Sequence, residues 1–314
     1  MIRMNCKSSA IKRNCDRFHR VIANFLHICI ILIAFCVLAG CQTAKVTKPF
    51  SAADVLPDTD SMYVKIPVEQ NKDLCGSIIS KYIVGLSEKD CTELINRSDT
   101  VYASVNFNDN SVNAAIIGNF PVYIDIVFSA QNSWENYRYD KDGHAAFYYV
   151  SKSTGFKVAV LNWKVMLISS SDIQILLKNY FNYIDTPEKS EILTENVPST
   201  DSIRDKSAVL NNKGPDISFY TSKAGAFIES IIGNGITLAA DQASGFFAKD
   251  TESKYVLDME MTFTTKHALK PALFLFKKAG PTGQITTEAL SELSMKCTGM
   301  IMDIKTIVSL LIGG

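Results

Sequence analysis

The chain has little histidine, and this scarcity limits the chemistry it can perform. Of its four histidines, only His144 and His267 lie beyond the first 40 residues. Each follows a turn-forming or charged stretch typical of solvated loops, so neither predicts a general base. The sequence also has no Gly-x-Ser-x-Gly elbow and no His-Glu-x-x-His pair. We therefore expect a protein that is not an enzyme and that uses no cofactor.

Cysteine is also scarce beyond residue 40. Only Cys41, Cys75, Cys91 and Cys297 occur there. Cys41 has a separate role, described below, and the odd count of the other three permits at most one disulfide. Cys75 and Cys91 are the nearest pair, yet both lie in sequence with helical spacing, so buried free thiols are favoured over a bridge. The scattered cysteines and the two histidines give no ligand spacing for a metal site.

Positive charge is concentrated at one end of the chain. The whole sequence has 32 basic and 32 acidic residues, but six basic residues and one acidic residue lie in the first 40. The remaining 274 residues carry a net charge of about −5. Their sequence shows no lysine or arginine cluster of the kind that binds phosphates or anionic headgroups. We therefore expect no nucleic-acid partner.

An apolar run near the N-terminus ends in a short motif found in bacterial lipoproteins. The run begins at Val21, and the motif consists of Leu38, Ala39, Gly40 and Cys41. Seven charged residues precede the run: Arg3, Lys7, Lys12, Arg13, Asp16, Arg17 and Arg20. The order of basic region, apolar region, small residues and cysteine is that of a lipoprotein export signal. The motif is therefore interpreted as a lipobox.

Cleavage before Cys41 would remove residues 1–40 as a signal peptide and make this cysteine the acylated N-terminus. An uncleaved anchor helix is the alternative, because the 19 residues from Val21 to Ala39 are enough to span a bilayer. In both cases the chain is anchored to a membrane outside the cytoplasm. The expected partner is therefore the membrane, reached through N-terminal acyl chains; a protein partner is not specified by the sequence.

The rest of the chain divides by composition. Residues 41–59 are small and polar with no hydrophobic period, which predicts a tether. Residues 60–185 show strand and helix patterns and form the first predicted α+β module. Residues 186–214 contain two prolines and many polar residues, which predicts a linker. Residues 215–314 form a second predicted module with a long C-terminal amphipathic helix.

Hydrophobic periods predict the elements within each module. In the first, strands are predicted at 61–68, 100–107, 111–117, 145–151, 156–162 and 164–169, and helices at 71–96, in two pieces, and at 173–184. In the second, strands are predicted at 216–221, 254–264 and 269–276, and helices at 224–248 and 287–312. Short turns between strands imply antiparallel pairing, and we expect the helices on one face of the sheet. The predicted fold class is α+β, and the shared order of elements makes two related modules one possibility.

Two amphipathic stretches in the second module are candidate functional surfaces. Residues 287–312 carry apolar side chains at steps of three and four, and residues 224–248 carry a looser stripe. Both stripes could cover a sheet. Alternatively, they could face lipid, and the candidate contacts are then Ile231, Ile232, Phe246 and Phe247. Few basic residues flank the stripes, so we expect any insertion to be hydrophobic rather than electrostatic.

A lipobox, a short tether, two α+β modules and several amphipathic helices together resemble the treponemal outer membrane-associated lipoproteins, whose α/β modules carry membrane-inserting helices. This resemblance is one of architecture and covers most of the chain beyond the lipobox. It implies a non-enzymatic protein at the periplasmic face of an outer membrane that contacts or perturbs lipid.

Three functions follow in order of support. The first is a non-catalytic lipoprotein that binds lipid or a membrane through apolar helix faces. The second is a structural or adhesive lipoprotein whose sheet edge or loops bind a partner protein. An exported hydrolase has the least support, because the sequence offers no nucleophile with a matching base.

Overall fold

The structure of the chain is a computed structural model that describes residues 50–82, 87–121, 124, 128, 133–186, 206–232, 238–251, 253–279 and 285–312. The predicted signal peptide at residues 1–40 and the lipobox with Cys41 lie outside the described residues. Most of the predicted linker at 186–214 lies outside them as well. These assignments therefore stay predictions.

Eight helices and twelve strands occur in the described residues. The helices are α1 (Ala52–Val55), α2 (Lys72–Tyr82), α3 (Glu88–Asn96), α4 (Ile173–Asp185), α5 (Lys206–Leu210), α6 (Ala224–Ile232), α7 (Lys266–Ala279) and α8 (Ile304–Ile312). The strands are β1 (Met62–Pro67), β2 (Ser98–Asn106), β3 (Ser111–Gly118), β4 (Trp134–Lys141), β5 (His144–Ser151), β6 (Lys157–Leu161), β7 (Val165–Ser169), β8 (Ile217–Thr221), β9 (Ala240–Thr251), β10 (Lys254–Phe263), β11 (Thr286–Ala289) and β12 (Ser294–Asp303). Within this part of the chain, no helix is long and apolar enough to cross a membrane.

All twelve strands belong to one antiparallel sheet with the order β11-β12-β10-β9-β8-β1-β2-β3-β7-β6-β5-β4. The antiparallel α+β class predicted from the sequence is thus confirmed. The strands that open the two predicted modules, β1 and β8, pair with each other near the middle of the sheet, with Met62 opposite Thr221 and Lys65 opposite Ser218. Both stretches therefore contribute to a single sheet, and their relation by duplication stays a prediction.

Helices cover both faces of the sheet, which corrects the expectation of one covered face. Side chains alternate along β1, so Tyr63 and Val64 point to opposite sides. Tyr63 belongs to a buried cluster that includes residues of α1 and α4, such as Val55 and Leu176. Val64 belongs to another cluster, which α2, α6, α7 and α8 cover. The central strands are apolar on both faces, and each face requires its own cover.

Three predicted elements of the second half of the chain are wrong. Residues 224–248 form α6 followed by β9, residues 269–276 lie inside α7, and residues 287–312 form β11, β12 and only then α8. In β12 the buried residues alternate, as Met295, Cys297 and later Met300 show. The apolar residues of this stripe are thus divided between β12, the turn before it and α8 rather than carried by one helix, because short apolar runs fit both periods.

The predicted tether at residues 41–59 is also partly wrong, because its second half packs on the fold. Val55 and Leu56 are fully buried, at 0% and 1% exposure. The Tyr63 hydroxyl donates a hydrogen bond of 2.6 Å to the carbonyl oxygen of Pro57. A four-residue helix is too short to show a hydrophobic period, and for this reason the sequence did not reveal it.

Candidate functional site

An apolar pocket lies between the central sheet and helix α2. Its floor comes from alternate residues of β1, β2 and β3, and its roof comes from α2, α3 and the end of α8. The cavity measures about 90 Å³. Its lining residues are Val64, Ile66, Val68, Cys75, Ile78, Ile79, Ile95, Ser98, Val101, Ala103, Val112, Ala114, Ile116, Phe156, Ile168 and Leu311.

The lining of this pocket is almost entirely hydrocarbon. Among the described residues that form it, Ser98 alone carries a hydroxyl, amide or charged group. A lining with a single hydroxyl offers water few hydrogen-bond partners, so the pocket favours apolar groups over water.

The roof of the pocket is fixed firmly at the start of α2. Asn71, which is 2% exposed, donates from its side-chain amide to the carbonyl oxygen of Pro67 at 2.7 Å. Its amide oxygen accepts a hydrogen bond from the Tyr255 hydroxyl at 3.0 Å. An ion pair of 3.1 Å joins Lys249 to Asp73 in the first turn. Any displacement of α2 from the sheet would therefore pivot at its N-terminal end.

Among the described residues, one cysteine lies in the pocket wall: Cys75, on the inner side of α2. Its side chain is 5% exposed. Burial among apolar groups raises the pKa of the Cys75 thiol to about 12, because the thiolate would lose its hydration. This thiol is neutral at physiological pH and contributes apolar surface rather than reactivity. The three cysteines of the described residues, Cys75, Cys91 and Cys297, are all free thiols, as favoured from the sequence.

Helix α7 presents a second feature, a basic outer face with an exposed aromatic ring. The helix has no acidic residue, and its basic residues are Lys266, His267, Lys270, Lys277 and Lys278. Phe274 is 66% exposed, and the Lys278 ammonium lies 6.0 Å from the centre of its ring. The opposite side of α7, with Ala272 and Phe276, is buried against the sheet. The linear sequence does not show these residues as a cluster, because a strand at 269–276 would distribute them over two faces.

The four candidate lipid contacts do not share one helix face. Ile231 and Ile232 end α6 and pack, partly buried, against the core beneath it. Phe247 lies in β9, is 0% exposed and contacts the Phe219 ring at a centroid distance of 5.1 Å. Its neighbour Phe246 points to the other side of the sheet, because adjacent strand residues alternate. The structure therefore brings Ile231, Ile232 and Phe247 to one core and leaves Phe246 outside it.

The two histidines of the described residues, His144 and His267, lie away from the pocket. His144 opens β5, its Nε2 is 2.7 Å from a carboxylate oxygen of Asp185, and its ring stacks on Phe181. His267 lies exposed in the first turn of α7. Within the described residues, no group of three or more potential ligands could hold a metal ion. The geometry therefore offers apolar binding at the pocket and charged surface contact at α7.

Comparisons with known proteins agree with this architecture. Crystal form I of TP0453 superposes with a TM-score of 0.65 at 14% sequence identity, over 84% of this chain and 97% of that one. Crystal form III gives a TM-score of 0.61 at 14% identity, over 84% and 99% of the two chains. Crystal form IV gives 0.55 at 15% identity, over 83% and 96%. At such identities the similarity shows a shared fold.

No match was found among curated proteins. A family model described as outer membrane-associated lipoprotein TP0453 matches residues 47–291. The match covers well over half of the sequence and includes the pocket floor, helix α2 and helix α7. The chain belongs to the family of TP0453, the outer membrane-associated lipoproteins.

Proposed function

We propose that this lipoprotein is non-enzymatic and binds an apolar lipid chain in the pocket beneath α2. The observation that carries the proposal is the pocket lining, which is hydrocarbon apart from the Ser98 hydroxyl and the Cys75 thiol. A site of this kind has no group that could orient a polar substrate or stabilise a transition state. It favours acyl chains, since each buried methylene contributes about 0.8 kcal/mol.

The cavity volume sets a condition on binding. An engineered cavity of about 150 Å³ accommodates benzene, so about 90 Å³ accommodates only a few carbon atoms. A longer acyl chain requires α2 to move outward about its fixed N-terminal end at Asn71. The interhelical contact of α2 is with α3 and α8, so these helices would move with it.

The membrane side of the proposal rests on helix α7 and on the lipobox. Lysines around an exposed phenylalanine suit a surface of anionic lipid headgroups, where an aromatic ring enters the interface and ammonium groups contact phosphates. Acylation at Cys41 would hold the chain at the periplasmic face of the outer membrane. Surface contact and a chain-binding pocket would then operate at the same bilayer.

Filling the pocket tests the lipid proposal. Ala103→Phe places a ring in the cavity, whereas Ala145→Phe places the same ring on the exposed side of β5. Titration with the fluorescent fatty acid cis-parinaric acid should show binding to the wild-type protein and to the Ala145 variant. The Ala103 variant should bind at least tenfold more weakly, because losing two methylene contacts costs about 1.6 kcal/mol.

Thermal melts of both variants show whether the substitutions preserve the fold. Equal fatty-acid binding by the folded Ala103 variant and the wild type would contradict the pocket as the binding site. Absence of fatty-acid binding by every form would favour the second function, a structural or adhesive lipoprotein that binds a partner protein.

A further inference from the structure

Strand β4 ends the twelve-stranded sheet, and no strand of the described residues lies beyond it. Its hydrogen bonds to β5 can be assigned by position. Lys152 donates its backbone N–H to the carbonyl oxygen of Ser133 at 2.9 Å, and the same register continues with Trp134 opposite Ser151. Bonded and non-bonded pairs alternate in antiparallel sheets. The backbone of residues 135, 137, 139 and 141 therefore bonds to β5. The N–H and C=O groups of residues 134, 136, 138 and 140 point to the opposite edge, which no described strand covers.

This edge of the described sheet carries one charge of each sign, two residues apart. Arg138 and Asp140 lie on the same face of β4 and form an ion pair of 3.0 Å. Their side chains are 60% and 65% exposed, so both charges remain available to a further partner. Charges on edge strands usually prevent pairing with another chain. Two opposite charges at this spacing disfavour most registers in which another strand could pair with β4. They favour the register that places each charge opposite a charge of the other sign.

We propose that β4 pairs antiparallel with β4 of a second copy of this chain, in the register that sets Arg138 opposite Asp140 of the second copy. The twofold axis then passes at Tyr139, so Asp140 also faces Arg138 of the second copy. The four charges alternate in sign around a square, and each existing Arg138–Asp140 pair is kept. Each Lys141 lies opposite Tyr137 of the second copy, where an ammonium can contact the ring.

Alternative registers are disfavoured by the same charges. The edge groups restrict antiparallel pairing to shifts of two residues. One neighbouring register places Arg138 opposite Arg138 of the second copy, and another places Asp140 opposite Asp140 of the second copy. Both are unfavourable because like charges directly opposite repel each other. A third sets Arg138 opposite Asn136 and leaves Asp140 opposite Trp134. Only the proposed register pairs both charges with charges of opposite sign.

Membrane anchoring strengthens this contact. Two bonded pairs give four backbone hydrogen bonds, and the contact is smaller than a standard interface of about 1,600 Å². The dimer is therefore weak in dilute solution and becomes populated when copies share a membrane surface, where their effective concentration is high. No residue of β4 lines the apolar pocket, so this inference is independent of lipid binding.

Charge reversal on vesicles tests the pairing. The chain without residues 1–40 is held through a C-terminal polyhistidine tag on neutral phospholipid vesicles that contain nickel-chelating lipid, so its surface density does not depend on acylation. A donor or acceptor fluorophore at the N-terminus reports pairing by energy transfer. The wild-type protein should show energy transfer above the level expected from random proximity. The Arg138→Asp variant and the Asp140→Arg variant, each tested alone, should show only that random level.

A mixture of the two variants is the decisive measurement. A donor-labelled Arg138→Asp copy and an acceptor-labelled Asp140→Arg copy again present opposite charges, so the mixture should recover transfer close to the wild-type value. Arg97→Asp breaks a comparable ion pair with Glu93 on α3 and should leave transfer unchanged. The proposed pairing would be overturned if energy transfer of the wild-type protein stayed at the random level. It would also be overturned if either single variant kept the wild-type energy transfer, or if the mixture did not recover it.

Discussion

Cys75 shows how the pocket acts on a single residue. Its sulfur lies in the pocket wall, and the surrounding hydrocarbon raises the pKa of the thiol to about 12. Cys91 on α3 is less buried, and its thiol pKa is raised by burial and by the negative charges of Asp90 and Glu88. The two thiols therefore differ in both access and ionisation, although they are only 16 positions apart. Their reactivity reports whether the roof of the pocket is closed.

We predict that iodoacetamide at pH 8 modifies Cys91 at least 100-fold faster than Cys75. With a pKa of about 12, roughly one Cys75 thiol in ten thousand is ionised at pH 8, and only the thiolate reacts. Because pH 8 to 10 lies below that pKa, the Cys75 rate should rise about tenfold per pH unit in this range. Peptide mass spectrometry after timed labelling measures both rates. Equal rates in the native protein would show that α2 does not seal the pocket.

Helix α7 shows how one element combines two surfaces. Leu269, Ala272 and Phe276 recur at steps of three and four and pack on the sheet. The remaining positions collect lysines around Phe274. Pro271 lies inside the helix, where proline normally breaks the hydrogen-bond ladder. The free energy gained by burying the apolar face of α7 exceeds the cost of the backbone hydrogen bond lost at Pro271.

We predict that α7 binds anionic vesicles through its outer face. Phe274→Ser should weaken the vesicle binding of a protein without acyl chains by about tenfold, because the ring loses its burial in the interface. Changing Lys277 and Lys278 together to glutamine should weaken binding about thirtyfold at low salt, since each lysine contributes about 1 kcal/mol near anionic headgroups. Flotation assays measure both effects.

Phe147→Ser is the matched control, because this ring is 54% exposed but lies on β5 away from α7. Phe274 is 66% exposed, so its replacement should leave the melting temperature unchanged. Equal losses of vesicle binding for the two phenylalanine variants would show that α7 has no special role.

At the scale of the whole molecule, the N-terminal segment ties distant parts of the chain together. The Lys206 ammonium at the start of α5 is 2.5 Å from a carboxylate oxygen of Asp58 and 3.2 Å from the carbonyl oxygen of Leu56. The same ammonium lies 5.0 Å from the centre of the Tyr63 ring. Residues 50–59 thus bridge β1 and α5, which lie about 140 residues apart in the sequence.

We predict that a mature chain shortened to begin at residue 50 melts at the same temperature as one that begins at residue 43. A chain that begins at residue 60 loses the buried Val55 and Leu56. After the entropy gained by freeing the segment, the net loss is about 2 kcal/mol, which corresponds to roughly 4–8 °C. Circular dichroism melts compare the three chains. Identical melting temperatures for all three would show that residues 50–59 act as a tether after all.

By itself, the sequence determined most of the local elements of the first half of the chain, although it predicted neither α1 nor β4. Alternating residues predicted β1 to β3 and β5 to β7, and helical spacing predicted α4. In the structure the Asp172 carboxylate caps the start of α4, where it accepts a hydrogen bond from Gln174 N–H at 3.0 Å. The resemblance to the outer membrane-associated lipoproteins is confirmed by the family match. These features depend on neighbours within one or two turns, so a single sequence contains them.

Only the tertiary structure decided which face each element covers and where the pocket lies. Val64, Ile79 and Leu311 line the same cavity although hundreds of positions separate the first from the last. Residues 294–303 form a strand because β10 and β11 pair with them on either side, whereas their apolar spacing also fits a helix. Periodicity describes how a segment can bury its own side chains. The partner that buries them is chosen by long-range packing, which a local pattern does not contain.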